Sequence, residues 1–269
     1  MIRHSISNIA WNTEHKESVY TFLSNQGFEG VEVALTKFAP WEMLDHDIVE
    51  AERALLKSHN LTVSSYQALF FGKTHLQLLG EPASFRELID HTVKVARIAQ
   101  QLSGGGVGVF GSPRNRLRGT LSEREAQDIG AERFHHLAEA IAPYNFVLAL
   151  EPAPTLYGGD FLLDTSACAA MVRQVNHPSL RLHLDTGCVN IAGDDGGTLV
   201  TQFGHLIAHV HLSRPQLAPI DSNAVSANQN TFRALLSQGF KGWIAIEMRE
   251  TKQAFQDITS AVQALQSAL

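Results

Sequence analysis

Cysteine is scarce in this 269-residue chain: Cys168 and Cys188 are the only two. A disulfide framework is therefore not expected, and a reducing cytoplasm is the expected compartment. Charge is also sparse at 18%, and acidic side chains outnumber basic ones for a net −6. With no basic run, no nucleic-acid partner is expected. No apolar stretch approaches the ~20 residues of a membrane span, so no membrane partner is expected either. The start, Met1-Ile2-Arg3-His4-Ser5, enters a strand-like pattern without a signal-peptide apolar core. No low-complexity tract or linker breaks the chain, which reads as one domain over residues 1–269.

What is present is a rhythm of short apolar runs separated by helical stretches. Eight strand-like segments recur: Ile2–Asn8, Gly30–Ala34, Leu61–Gln67, Gly106–Gly111, Phe146–Glu151, Arg181–Asp185, Ile207–Leu212 and Trp243–Glu247. Eight strand-plus-helix units in a chain of this size predict an α/β fold, a (β/α)8 TIM barrel. In the last helical stretch Phe255, Ile258, Val262, Leu265 and Leu269 form one apolar stripe suited to lie on a barrel. Ser122 with Glu125 has capping-box spacing before the fourth helix, and Asp164 is placed to cap the fifth. Two longer connections, Phe70–Glu81 and Ser112–Leu121, follow the third and fourth strands and are candidates to shape a pocket.

Four consecutive runs end on Glu151, Asp185, His211 and Glu247. A parallel barrel gathers the C-terminal ends of its strands at one face. Strand alternation puts His209 with His211, and His183 with Asp185, on common faces. Buried carboxylates are costly unless paired or metal-bound. Three carboxylates and one imidazole suit a single divalent ion, Mn²⁺, Mg²⁺ or Co²⁺ rather than a closed structural zinc site, although Zn²⁺ also fits the donors. The competing interpretation is a metal-free ionic network. Gly106-Val107-Gly108-Val109-Phe110-Gly111 matches the dinucleotide signature G-x-G-x-x-G literally. It occupies the strand itself, however, and lacks the acidic residue expected about 20 positions later. The glycines are better read as relief of crowding, and Arg114 and Arg116 after them as solvated or anion-facing side chains.

Gly30-Val31-Glu32-Val33, Leu150-Glu151-Pro152, His183-Leu184-Asp185-Thr186-Gly187, His209-Val210-His211-Leu212-Ser213 and Gly242-Trp243-Ile244-Ala245-Ile246-Glu247 together resemble the xylose-isomerase-like barrel superfamily of sugar isomerases and epimerases, over nearly the whole chain. The resemblance implies that Glu151, Asp185, His211 and Glu247 bind one divalent metal. It also implies that Glu151 and Glu247 are the acid/base pair of a ketose-epimerase-like reaction, moving a proton through an enediolate. The substrate would be a small keto-sugar, sugar phosphate or related polyol. Strand-end position adds Asn8, Trp11, Glu32, Gln67, His183 and His209 as substrate contacts. The family pattern is departed from at two points. Many ketose epimerases carry histidine where this chain has Cys188, and an arginine in the loop that here reads Ser213-Arg214-Pro215-Gln216-Leu217. Cys188 and Arg214 become pocket candidates, and a metal-dependent lyase or dehydratase becomes the alternative function. An apurinic-endonuclease-like site would need histidines where Gln67, Gly108 or Phe110, and Cys188 stand. A non-catalytic sugar-binding barrel is the remaining class, and exposed barrel helices would suit a homodimer.

Overall fold

The computed structural model describes residues 2–268, so Leu269 of the predicted stripe lies outside the described residues. Eight parallel strands close into a ring in sequence order. They are β1 (Arg3–Ser7), β2 (Gly30–Ala34), β3 (Thr62–Gln67), β4 (Gly106–Phe110), β5 (Phe146–Leu150), β6 (Leu180–Asp185), β7 (Ile207–Ser213) and β8 (Trp243–Glu247). The eight expected strands are all present, with ends differing by a residue or so. The chain is thus a (β/α)8 barrel. Among the described residues no helix is long and apolar enough to cross a membrane.

Helices return the chain between strands: α1 (Lys16–Asn25), α2 (His46–Ser58), α3 (Pro82–Ser103), α4 (Glu123–Ile141) and α5 (Thr165–Val175). The sixth and seventh connections carry pairs, α6 (Thr186–Ala192) with α7 (Gly196–Phe203), and α8 (Ser222–Ala227) with α9 (Gln229–Ser237), before the final α10 (Ala254–Gln266). Six of these ten helices start on a side-chain cap, α2, α4, α5, α6, α7 and α8. Ser122 and Glu125 form the expected capping box, and Asp164 accepts from Ala167 N. On α10, Ile258, Val262 and Leu265 are buried as predicted. Phe255 is half exposed, packing edge-on to Phe22 instead of lying on the barrel.

Most of the core fills the layer between strands and helices. The ring interior is different, because Ser5, Ser7, Glu32, Ser65, His183, His209 and His211 are all buried strand residues. Branched apolar side chains normally dominate that space. A buried polar column is costly unless its groups satisfy one another, and the partners they find define the site.

The glycines of the G-x-G-x-x-G match lie on β4 and its end, as expected for a packing role. An added Cβ at Gly108 would meet the Phe146 ring, and one at Gly111 would overlap the Glu151 carboxylate. Gly111 therefore leaves the space in which Glu151 sits.

Candidate metal and acid–base site

Glu151 leaves the end of β5, Asp185 closes β6, His211 lies within β7 and Glu247 closes β8. Around the ring these ends converge on one atom, Nδ1 of His211. It lies 3.3 Å from Glu247 Oε2, 3.8 Å from Glu151 Oε1 and 3.8 Å from Asp185 Oδ2. The imidazole is fully buried and this nitrogen has no hydrogen-bond partner. The four residues singled out from strand ends are thus brought together.

The three carboxylates are held differently. Asp185 is braced twice: Cys188 N donates to Oδ1 at 2.6 Å, capping α6, and Ser213 Oγ donates to Oδ2. Ser213 in turn accepts from Gly187 N at 2.9 Å. The carboxylates of Glu151 and Glu247 have no comparable brace. The main chain of Glu151 is anchored, since the buried Arg116 guanidinium donates to its carbonyl and to that of Phe110. Arg116 is therefore a structural clamp rather than an anion-facing residue.

Electrostatics match the crowding. Burial, reinforced by Asp185 and Glu247, raises the Glu151 carboxyl well above its ordinary range. Burial also raises Glu247, against the pull of His211. Burial opposes charge on His211, yet Glu32 and Glu247 outweigh it and hold this imidazole well above its usual value. These shifts have the sign expected where several carboxylates crowd without a cation between them. A divalent cation would use the unpartnered nitrogen and relieve that repulsion, and the oxygen-rich donor set suits a hard or borderline ion. Glu151, His183, Asp185 and His211 each offer a ligand atom within 4.8 Å of the others, and Glu247 lies outside that group, 3.3 Å from His211 Nδ1. The residues therefore fit a metal.

Beneath lies a second layer. Glu32 is fully buried on β2, and its Oε2 receives Ser65 Oγ at 2.8 Å, His211 Nε2 at 2.8 Å and His209 Nε2 at 3.1 Å. Its Oε1 receives Gln67 Nε2 at 2.9 Å. Burial disfavours this carboxylate's charge, but the two histidines prevail and keep it ionised far below its ordinary range. His183 stacks on His209 and edges His211, with its Nε2 3.6 Å from Glu151 Oε1 and both ring nitrogens unpartnered. Burial, then its two histidine neighbours, keep it neutral.

Above the carboxylates opens a cavity of about 590 Å³, and Glu151, Asp185, Ser213 and Glu247 stand in its wall. Of the candidate substrate contacts, Cys188 and Arg214 line it. Glu32, Gln67, His183 and His209 lie below and do not. Asn8 is committed to the backbone of Ala34, accepting from its N–H at 2.8 Å. Trp11 is buried edge-on against Tyr20, away from the cavity. None of these six lines the cavity: Asn8, Glu32, Gln67 and His209 are hydrogen-bonded elsewhere, and Trp11 and His183 pack against aromatic rings. Arg114 does face the cavity, and both longer connections contribute, through Phe70, Phe71 and Thr74, and through Ser112 and Pro113. Arg214 is tied to Pro219 O and Asp221. Tyr157, Ser213 and Leu217 were not singled out from sequence. Tyr157 and Leu217 each end a single 3-10 turn (Thr155–Tyr157, Pro215–Leu217), too short to carry a periodic signal, whereas Ser213 stands two residues beyond His211 on the same strand face and was there to be found.

A family model described as "Xylose isomerase-like TIM barrel" matches residues 21–268. No curated protein matches the chain. Among solved structures, 3-keto-D-glucoside 4-epimerase from E. coli superposes with a TM-score of 0.77 at 16% identity, covering 99% of this chain and 100% of that one. D-psicose 3-epimerase from Clostridium cellulolyticum H10 gives 0.74 at 14%, covering 99% and 96%. The probable 3-DHS dehydratase AsbF from Bacillus anthracis gives 0.71 at 18%, covering 98% and 99%.

Proposed function

The chain belongs to the xylose isomerase-like TIM-barrel family, and from that premise we propose that it is a divalent-metal-dependent isomerase or epimerase of a small keto-sugar or related polyhydroxy carbonyl compound. One observation carries the reading: Glu151 and Glu247, both unbraced, share a cavity wall and face the same unpartnered nitrogen of His211. Glu151, Asp185, His211 and Glu247 would hold the ion. When bound, it would polarise the substrate carbonyl and the neighbouring hydroxyl, making the adjacent C–H acidic.

The chain's own groups then divide the work. Asp185, fixed by Ser213 and the α6 N-terminus, would serve as a rigid ligand. Glu151 and Glu247 reach the cavity from strands on either side of β6 and β7, so one takes the proton and the other returns it. Return at the former carbonyl carbon, with the neighbouring hydroxyl proton shifting to the former carbonyl oxygen, isomerises the substrate, and return at the opposite face of the original carbon epimerises it. Burial raises both carboxyls towards the basicity that proton transfer needs. Dehydration is the second reading. It begins with the same proton removal, and the lining residue Cys188 is a neutral thiol whose Sγ–H is directed to Pro152 O.

The test is solvent exchange. Mn²⁺-loaded protein incubated with keto-sugars in D₂O should place deuterium at the carbon next to the carbonyl. Glu247→Gln should depress exchange by about 10²–10⁴-fold, the range for losing a positioned acid–base group. Full activity in that variant would overturn the mechanism, and loss of water from the substrate would select the dehydratase reading.

A further inference from the structure

The His211 ring has two nitrogens, and they meet opposite environments. Nδ1 faces the three carboxylates without a hydrogen bond, whereas Nε2 lies 2.8 Å from Glu32 Oε2. An ionised carboxylate is acceptor-only, so the proton between them belongs to Nε2. The same oxygen takes His209 Nε2 and Ser65 Oγ, while Gln67 saturates the other oxygen and also reaches Ser7. Four donors from two strands, β3 and β7, thus fix one buried carboxylate. We propose that Glu32 is a positioning residue that commits His211 to the Nε2–H tautomer and so presents Nδ1 as its metal-binding nitrogen.

The consequence is specific. A neutral imidazole has one protonated nitrogen and one lone pair, and whichever nitrogen is hydrogen-bonded as a donor cannot ligate. In the neutral imidazole that ligates a metal, with Glu32 fixed beneath, the lone pair points at Glu151, Asp185 and Glu247. Carboxylate–histidine pairing also makes the imidazole a stronger donor, and loss of such a partner typically costs ~10–100-fold in metal affinity. His209 shares the same carboxylate and stacks on His183, so it buttresses the arrangement from the side. Glu32 and His209 thereby act through His211 and not on substrate.

The inference rests on the metal-binding part of the proposed function, and it is tested without substrate. Ring ¹⁵N shifts of the wild-type full chain, recorded with and without Zn²⁺ as a diamagnetic probe, report which nitrogen ligates. Nε2 of His211 should remain protonated, and Nδ1 should move on metal addition. Calorimetric titration with Mn²⁺ should show Glu32→Gln binding about 10–100-fold more weakly than wild type. Glu32→Asp should fall between them, because it keeps the charge but shortens the reach. Movement of Nε2 on metal addition, or unchanged Mn²⁺ affinity in a folded Glu32→Gln protein, overturns the proposal while leaving the metal site intact. Failure of the wild type to bind either ion overturns the proposal together with the metal-dependent reading. Should neither variant fold, the wild-type ring shifts alone decide.

Discussion

Replacing Gly111 with alanine is the smallest change that separates a metal site from a fortuitous glycine motif. The added methyl would stand 2.8 Å from Cδ of Glu151 and would overlap its Oε2. Carbon–carbon contacts settle near 3.5–4.0 Å, so the carboxylate must retreat by at least about 1 Å. It cannot do so by moving its backbone cheaply, because Arg116 holds the Glu151 carbonyl and Glu151 N donates to Phe110 O at 3.3 Å. The displacement therefore falls on the side chain, which is only 15% exposed. A misplacement of that size in a reacting group costs about 10²-fold in rate. Solvent exchange into a substrate of the wild type should fall by at least that factor in Gly111→Ala, and Mn²⁺ binding by calorimetry should weaken too. The melting temperature of the metal-free protein should change little, because displacing Glu151 also eases its repulsion from Asp185 and Glu247. Wild-type exchange and Mn²⁺ affinity in a folded Gly111→Ala protein would refute this account of the glycine and of the position of Glu151.

Metal content gives a second test: protein supplied with Mn²⁺ should retain the ion through gel filtration, and Asp185→Ala should not, since it removes the only doubly braced ligand. pH gives a third, with its sign set by the raised groups. His211, Glu151 and Glu247 all titrate higher folded than unfolded. Their contribution to stability is complete below the unfolded values and is lost as pH rises through the folded ones. The buried neutral His183 and His209 act oppositely, but only below about pH 6.5, where they would charge on unfolding. Above about pH 7, then, the metal-free protein should melt at falling temperature with rising pH. The stabilisation added by Mn²⁺ should grow over the same interval, because binding releases those protons. Thermal melts with and without Mn²⁺ check both slopes, and a Mn²⁺ effect that shrinks as pH rises would contradict the ligand assignment.

The strand ends were legible because apolar runs ending on Glu151, Asp185, His211 and Glu247 carry both the period of the fold and the chemistry of the site. Depth was not legible. Alternation along a strand tells which residues face inward, but height above the barrel floor depends on stagger between neighbours. Here the stagger is interrupted by irregularities between Val31 and Glu32 on β2 and between Leu182 and His183 on β6. Glu32 pairs with Ser7 and Ser65, whereas Glu247 pairs with Ser213, so equivalent-looking strand ends stand at different levels. That is why Glu32, Gln67, His183 and His209 have the composition of a substrate pocket and the position of its foundation. The same point explains the polar column inside the barrel. A fully buried carboxylate such as Glu32, which lines no part of the cavity, is tolerable only because four donors satisfy it. Removing Glu32 alone would strand the donors of Ser65, Gln67, His209 and His211. Its place in the column is therefore tied to theirs and to the orientation it gives His211.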